Sequence, residues 1–314
     1  MVVLLGFGTG CPFSYRINGR VFNALGLVPM MSEEKNIISA CVLTCNNEAT
    51  IGACIESLLP FDEIVVLDTG STDRTLEIMS QYSKVRVFHA TPGKIEHFGK
   101  IRNDLTAYAR NDWVCMVDSD EVVSPELAAE ILTETLDPKT VYALFRINYY
   151  HGRPIKGCGI YPDYIKRIYH RGCVYWGDRI VHEALEIPKD GKIKRTRAIL
   201  HHYPVDSIDS LLEKMNYYTT LFADQREGKR KATPFSALFH GAWRFFKTFV
   251  LGRGFLYKQD GFIICLNAGL DSYFKHAKLY ERNKCLDGRE QRNDEYLRAL
   301  PRQGEELKMN NEKF

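Results

Sequence analysis

The stretch that decides the fold is residues 113–121, WVCMVDSDE, in which a short apolar run ends in two aspartates and a glutamate. The same form occurs twice before it, in residues 36–48, NIISACVLTCNNE, and in residues 63–73, EIVVLDTGSTD. Between these runs, apolar residues recur at helical spacing. Short apolar strands that alternate with helices are typical of a mostly parallel sheet with helices on both faces. The sequence therefore predicts an α/β fold.

The predicted strands cover residues 37–43, 64–67, 85–88, 113–117 and 141–147, and the predicted helices cover residues 50–59, 73–82 and 99–109. Another helix is expected to begin at Pro125, with Ser124 as its N-cap. Residues 150–202 have poor periodicity and predict loops and short strands around a site. A helix over residues 207–224 and a basic hinge follow, and the tail after Asn283 is expected to be charged and mobile.

Size and composition exclude several classes of protein. With 314 residues, 45% of them hydrophobic, the chain can bury one large core and a smaller appended region. Its 42 basic and 39 acidic residues make a nucleic-acid partner bound through bulk charge unexpected. Nine cysteines without a CxxC pair suit a reducing compartment and predict no zinc site. No run reaches the about 18–20 apolar residues that cross a bilayer.

The first 30 residues have no positive lead and no small-residue cleavage site, so they do not predict a secretory signal. Met31 is followed by a short polar lead into the first strand, which suggests that Met31 is the native start. A peptide covering residues 15–20 in mass spectrometry of the natively expressed protein would exclude this hypothesis.

Polar clusters follow three of the predicted strands, where open α/β sheets bind ligands. They occupy residues 44–48, 68–73 and 118–121. Each alone has a structural explanation, as a turn, a helix-capping loop or a solvated acidic turn. The occurrence of all three polar clusters at successive strand ends favours a ligand-binding site. Asp118 and Asp120 are expected to hold Mg²⁺ or Mn²⁺, because a hard cation with oxygen ligands neutralises a departing diphosphate.

In residues 39–48, 65–75 and 113–121 the chain resembles the family 2 glycosyltransferases, which have the GT-A fold. The resemblance implies that Asp68 contacts the base of a UDP-sugar donor and that Asp118 and Asp120 hold the metal and the diphosphate. It places Asn47 and Glu48 in the uridine pocket. The other residues that it assigns to the donor site are Thr44, Asn46, Ser71, Arg102, Asn103 and Ser119.

Residues 176–183, 200–203 and 277–281 are similar to those of the lipopolysaccharide core β-1,4-glucosyltransferases. This narrower resemblance implies transfer of glucose from UDP-glucose to an inner-core heptose. The acceptor would be an anionic glycolipid or oligosaccharide at the cytoplasmic face of the bacterial inner membrane. Residues 235–282 favour either a helical pair packed on the core or an amphipathic face in peripheral contact with that membrane.

An inverting transfer needs a base to take the proton of the acceptor hydroxyl. Glu183 is the first candidate and Asp178 the second, and the structural alternative is an ion pair of Glu183 with Arg179 or Arg167. A late histidine, His201 or His202, is a candidate third metal ligand. Basic residues crowd the expected acceptor side, either as a solvated face or as a binding site for an anionic acceptor. They are Arg146, Arg153, Lys156, Lys166, Arg167, His170 and Arg171.

The resulting domain hypothesis has an N-terminal extension at residues 1–35, a GT-A domain at 36–205 and a C-terminal helical region at 206–314. The GT-A domain divides into a donor half at 36–125 and an acceptor half at 140–205. Three other functions are alternatives. A sugar nucleotidyltransferase should have a glycine-rich loop and a lysine for the triphosphate, and neither follows the first strand. A non-catalytic donor-binding subunit should have lost the metal aspartates, and both are present. A transferase acting on a peptide or another envelope polysaccharide remains open.

Overall fold

The computed structural model describes residues 14–17, 20–23, 35–90, 98–177, 184–204 and 207–299. The strands are β1 (Ser14–Ile17), β2 (Arg20–Asn23), β3 (Ile38–Thr44), β4 (Glu63–Asp68), β5 (Val85–His89), β6 (Trp113–Asp118), β7 (Glu121–Val123), β8 (Thr140–Tyr150), β9 (Arg153–Ile155), β10 (Asp163–His170), β11 (Tyr175–Trp176), β12 (Leu185–Glu186) and β13 (Lys192–His202). The helices are α1 (Ile51–Leu58), α2 (Thr75–Met79), α3 (Phe98–Ala107), α4 (Pro125–Thr133), α5 (Ile208–Arg226), α6 (Pro234–Phe246) and α7 (Lys258–Ala299). A π-helical turn (Lys247–Leu251) and a 3₁₀ turn (Gly254–Tyr257) join α6 to α7.

The central sheet has the strand order β5-β4-β3-β6-β10-β8-β13-β7, with β9 paired to β8. Strands β5, β4, β3 and β6 are parallel neighbours. Strand β10 lies antiparallel between β6 and β8, β13 runs parallel to β8, and β7 is antiparallel at the edge. The α/β prediction with a mostly parallel sheet is confirmed.

Helices cover both faces of this sheet. On one face, Ile55 of α1 and Leu127 of α4 belong to a fully buried cluster with strand residues such as Val66. On the other face, Leu105 of α3 packs with Trp176 and the other side of the same strands. Strands β3, β4 and β6 are buried on both faces, which explains why their sequences are continuous apolar runs rather than alternating ones.

The predicted elements before residue 150 lie close to the observed ones, and Ser124 caps α4 by accepting a hydrogen bond from the Leu127 backbone N–H at 3.1 Å. The prediction of loops and short strands for residues 150–202 was wrong in part, because β10 and β13 are long strands of the main sheet. Both are interrupted by register shifts against β8, at Lys166/Ile168 and Arg195/Ile199. Such bulges break the period-2 pattern by which a strand is recognised.

Helices α5, α6 and α7 form the C-terminal helical extension, and α7 runs on to Ala299. The charged tail predicted after Asn283 therefore begins as a continuation of this helix. The Asn283 side chain donates to the Arg230 carbonyl at 2.9 Å and accepts from the Gly228 N–H at 3.0 Å, which ties α7 to the segment after α5. Among the described residues, no helix is long and apolar enough to cross a membrane.

Candidate active site

Three polar clusters meet at one edge of the sheet because their strands are parallel and in register. Thr44 at the end of β3 is the partner of Asp68 at the end of β4, and Leu43 is the partner of Asp118 at the end of β6. Strand β13 also runs in this direction, so His202 at its end reaches the same edge. The structure thus brings residues from four distant parts of the chain to one end of the sheet, as expected for an open α/β fold.

The loops after β3 and β4 are held together by six hydrogen bonds between side chains and backbone, and four of them are 3.0 Å or shorter. These four are Asn46 N–H to Ser71 Oγ at 2.9 Å, Asn47 N–H to Thr75 Oγ1 at 2.8 Å, Glu48 N–H to Asp73 Oδ2 at 3.0 Å, and Thr72 N–H to Asn46 Oδ1 at 2.7 Å. Asn46 has a φ of 54°, a left-handed conformation that asparagine tolerates well. The two loops therefore form one braced unit.

Asp68 is buried at the base of this unit. Its carboxylate accepts hydrogen bonds from the backbone N–H groups of Gly70 at 3.1 Å and Ser71 at 3.2 Å. Gly70 has a φ of 112°, which favours glycine, and this conformation lets the loop fold back over the carboxylate. His89, at the end of β5, lies with its Nδ1 3.5 Å from Asp68 Oδ2. Sequence reasoning missed His89, although its position directly at a strand end was the available signal.

Asp118 and its neighbour Glu121 lie in a cluster of guanidinium groups. Arg102 contacts Asp118 Oδ1 at 3.3 Å, and the Arg167 guanidinium contacts Asp118 Oδ2. Burial alone would raise the pKa of Asp118, but the charges of Arg167 and Arg102 outweigh it and hold that pKa well below its usual range. Asp118 is therefore a fixed anion.

Glu121 is fully buried, and its carboxylate meets Arg146 at 3.0 Å and Arg167 at 3.2 Å. It also accepts a hydrogen bond from the backbone N–H of Asp118 at 3.0 Å, which stabilises the acidic turn that follows β6. The expectation that Arg167 belongs to an exposed acceptor-binding face was wrong, because Arg167 is buried between two carboxylates. Arg171 is likewise engaged by the Ala109 and Thr106 carbonyls.

Asp120 faces a different partner from Asp118. Its Oδ2 lies 3.4 Å from Nε2 of His202. The other ring nitrogen of His202 meets the side-chain oxygen of Asn148 at 2.6 Å, which fixes the ring with Nε2 toward Asp120. His201 has the opposite orientation, as alternation along a strand requires, and its Nδ1 contacts the Tyr149 hydroxyl at 3.0 Å. Burial lowers the pKa of His201.

The chemistry of this pair fits a divalent ion. A carboxylate oxygen and an imidazole nitrogen that bind one ion at about 2.0–2.2 Å lie roughly 3 Å apart, close to the separation of Asp120 and His202. Within the ranges that the structure describes, no group of three or more His, Cys, Asp or Glu side chains is arranged to hold a metal. A site with two protein ligands leaves positions for phosphate oxygens.

Asn103 and Arg102, both expected to contact the donor, hold the strand that leads into residues 178–183. The Asn103 side chain donates to the Trp176 carbonyl at 2.8 Å and accepts from the Trp176 N–H at 2.9 Å. The Arg102 guanidinium lies over the Trp176 ring at 4.7 Å. Asp178 and Glu183, the candidates for the base, lie outside the described residues. Ser119 is buried beside Asp118.

Asn103→Ala is expected to lower the free energy of unfolding by about 1–3 kcal/mol, because the Trp176 N–H and carbonyl lose their partners. Denaturant unfolding followed by far-UV circular dichroism measures this. The matched control is Asp104→Ala, an exposed position on the same helix, which should change stability by less than about 0.5 kcal/mol. Equal stability of the two variants would contradict the role given to Asn103.

A cavity of about 830 Å³ opens beside this edge, between the sheet and the C-terminal helices. Its walls include Arg146, Asn148 and Tyr149 from β8, and Arg244 and Asn267 from α6 and α7. Asn148 belongs both to the cavity wall and to the support of His202. The volume lies within the range of sites for small molecules, about 300–1,000 Å³. A molecule in this cavity would lie next to the Asp120–His202 pair.

Residues 39–177, which include the polar clusters after β3, β4 and β6, match the model of the family described as Glycosyl transferase family 2. These residues form a family 2 glycosyltransferase domain. The resemblance of the sequence motifs to this family is thereby confirmed, and the mixed α/β sheet between helices is the GT-A architecture that it implied.

Two relatives that match most of this chain are described as glycosyltransferases. An uncharacterised glycosyltransferase of Rickettsia typhi is 28% identical over 265 residues, covering 78% of this chain and 87% of the relative. The lipopolysaccharide core biosynthesis glycosyltransferase LpsC of Rhizobium meliloti is 27% identical over 258 residues, covering 78% of this chain and 93% of the relative. The crystal structure of Staphylococcus aureus TarS with UDP-GlcNAc gives a TM-score of 0.41 at 17% identity, covering 82% and 92% of the two chains.

Proposed function

We propose that this glycosyltransferase moves a hexose, with glucose from UDP-glucose as the first candidate, to an inner-core heptose of lipopolysaccharide or a similar lipid-linked saccharide. The observation that carries the proposal is the convergence of Asp68, Asp120 and His202 at one sheet edge beside an 830 Å³ cavity. The relationship to LpsC supports the choice of acceptor. The reaction would take place at the cytoplasmic face of the inner membrane.

The donor nucleotide is proposed to lie on the braced loops after β3 and β4. Asp68 is buried there, and the loop after β3, which is hydrogen-bonded to the loop after Asp68, carries Asn47 and Glu48. Asp120 and His202 are proposed to hold Mg²⁺ or Mn²⁺. A divalent ion held by these two residues would supply charge neutralisation for the departing diphosphate. Asp118 is assigned a supporting role, because its carboxylate is already neutralised by Arg102 and Arg167.

The acceptor saccharide is proposed to occupy the cavity. The rings of Tyr149 and Tyr203 stack with centroids 4.6 Å apart, and Tyr149 lines the cavity. Aromatic faces of this kind suit the apolar face of a sugar ring. Arg244 is a cationic side chain of the wall and suits a phosphate or carboxylate group of an anionic glycolipid, whereas Arg146, also in the wall, is already paired with Glu121 and Asp163.

Glu183 remains the proposed base, with Asp178 as the alternative. Glu183→Gln is expected to lower kcat by about 10²–10⁴-fold while leaving the Kd for UDP within about threefold, because only the proton transfer is removed. Steady-state kinetics and UDP titration measure the two effects. Asp178→Asn serves as the comparison, and an equal loss of UDP affinity and turnover in Glu183→Gln would contradict its role.

The proposed acceptor is tested by mass spectrometry of lipopolysaccharide from a deletion strain. The core oligosaccharide should lack one hexose, and the wild-type chain, but not its Asp120→Ala variant, should restore that hexose. An unchanged core would exclude lipopolysaccharide as the acceptor. It would leave the peptide and other envelope polysaccharides as acceptors to test with the same donor.

A further inference from the structure

The outward face of α6 is apolar. Phe235, Leu238, Phe239, Trp243 and Phe246 recur at intervals of three and four residues, which places them on one side of the helix. Their exposed fractions are 85%, 62%, 67%, 50% and 45%. The polarity of α6 is thus the reverse of that of an ordinary surface helix, which turns its apolar side toward the core.

The orientation of α6 is fixed by close packing against α7. A Cβ at Gly241 would lie 3.1 Å from the Gly269 carbonyl oxygen, and a Cβ at Gly269 would lie 3.1 Å from the Gly241 carbonyl oxygen. The two helices therefore meet backbone to backbone at these glycines. Ala237, one turn before Gly241, is fully buried on the same side. This packing keeps the large apolar side chains of α6 on the outside.

The exposed apolar residues continue along the turns that join α6 to α7 and along the start of α7. We call the whole set the apolar face. It consists of Phe235, Leu238, Phe239, Trp243, Phe246, Val250, Leu251, Phe255, Leu256, Phe262, Leu266 and Leu270. Phe249 contacts both Phe255 and Phe262, with ring centroids 6.4 and 6.0 Å apart, so these parts of the face adjoin. Soluble monomers rarely expose so many large apolar side chains in one place.

Basic charges predominate along the segment that carries this face, in which Asp260, paired with His151 at 3.1 Å, is the single acidic residue between Phe235 and Leu270. Residues 228–259 contain seven lysines and arginines and no aspartate or glutamate. They are Lys229, Arg230, Lys231, Arg244, Lys247, Arg253 and Lys258. The charge of +7 over 32 residues contrasts with a net charge of +3 for the whole chain. A surface that combines aromatic and aliphatic side chains with an excess of positive charge is complementary to an anionic, apolar partner.

We propose that the apolar face lies in the headgroup region of an anionic lipid bilayer, with α6 parallel to the membrane plane. Large apolar side chains would enter the boundary between headgroups and acyl chains, while Lys247 and Arg253 would meet lipid phosphates. A second copy of the chain is a poorer occupant, because a two-fold contact would set the same positive patch against itself.

The membrane-lying helices also wall the cavity at the active site. Arg244 of α6, together with Ile264 and Asn267 of α7, lines the space that Asn148 shares with His202. A saccharide whose lipid anchor stays in the bilayer would thus find the cavity directly above its own membrane. This last step rests on the proposed function, whereas membrane binding itself does not.

Vesicle co-sedimentation of the full chain without donor tests the proposal. The wild type should bind vesicles of phosphatidylglycerol and phosphatidylethanolamine, bind pure phosphatidylcholine vesicles much less, and lose binding as salt rises. Phe235→Ser with Phe239→Ser should lower the partition coefficient at least about tenfold. The matched control is Ile37→Ser with Ile193→Ser, which removes two other exposed apolar side chains and should leave binding unchanged.

Thermal melting establishes that each variant is folded before binding is compared. Retained binding in the Phe235→Ser/Phe239→Ser variant, or equal loss in the control, would overturn the proposal. A wild-type dimer in analytical ultracentrifugation that dissociates in this variant, without vesicle binding, would assign the face to self-association instead. A chain that binds vesicles but transfers no sugar would contradict the proposed function and leave the membrane contact standing.

Discussion

Replacement of Asp120 by alanine is expected to abolish sugar transfer, with a fall in kcat/KM of at least about a thousandfold. A bound divalent ion stabilises the developing charge of the diphosphate by several kcal/mol, and about 4 kcal/mol corresponds to that factor. The Asp120 carboxylate lies 3.4 Å from His202 and makes no ion pair with Arg102 or Arg167 in the described part of the chain. Its removal should leave the melting temperature nearly unchanged. Transfer of radiolabelled hexose from UDP-hexose to extracted glycolipid measures the rate.

Two controls separate metal binding from general disturbance of the sheet. Asp112→Ala removes an exposed aspartate that directly precedes β6, at the end of that strand opposite Asp118. Transfer should be unaffected in this variant. His202→Ala should resemble Asp120→Ala, whereas His201→Ala should keep most of the activity, because only His202 faces Asp120. Equal activity of the two histidine variants would contradict the assignment of His202 as a metal ligand.

Arg167→Met is expected to lower the free energy of unfolding by about 3–5 kcal/mol, the largest stability effect that we predict. Arg167 is buried and bridges Asp118 and Glu121, so its loss leaves the fully buried Glu121 carboxylate with Arg146 as its remaining charged partner. Chemical denaturation at pH 7 measures the change. The control Lys194→Met breaks an exposed ion pair with Glu134 and should cost less than about 1 kcal/mol. A cost below 1 kcal/mol for Arg167→Met would contradict this account.

The ion pair between Asp118 and Arg167 predicts that the free energy of unfolding depends on pH. The folded-state pKa of Asp118 is depressed, so its contribution to stability is complete above the unfolded value of about 4 and is lost as the pH falls through the folded value. Without Arg167, the depression is smaller. The acid-side decline in stability between about pH 4 and pH 2 should therefore be shallower in Arg167→Met than in the wild type. Parallel curves for the two proteins would show that Arg167 does not set this pKa.

The first half of the fold was predictable because its strands are buried on both faces and end in polar residues. Strands β3, β4 and β6 differ from their predicted bounds by a residue or so, and Asp68 and Asp118 lie at the expected strand ends. The choice between His201 and His202 was not predictable, since adjacent residues of a strand point to opposite faces and the register of β13 depends on a bulge. The burial of Arg167 was not predictable either, because the sequence of a basic segment does not show which of its residues are buried.

The C-terminal region shows a second limit of sequence reasoning. The spacing of apolar residues in α6 predicts a helix with one apolar side, but it does not tell whether that side packs inward. The answer depends on Gly241 and Gly269, which let α6 meet α7 through its small-residue side. Long-range contacts of this kind have no sequence signature within a single helix.

The central claim is that Asp120 and His202 hold a divalent ion that binds the nucleotide diphosphate. Calorimetric titration of UDP into the wild type and Asp120→Ala, each with and without Mn²⁺, tests it most directly. We expect Mn²⁺ to tighten UDP binding at least about tenfold in the wild type and to have no effect in Asp120→Ala. UDP binding that is equally tight with and without Mn²⁺, or that Asp120→Ala leaves unchanged, would contradict the claim.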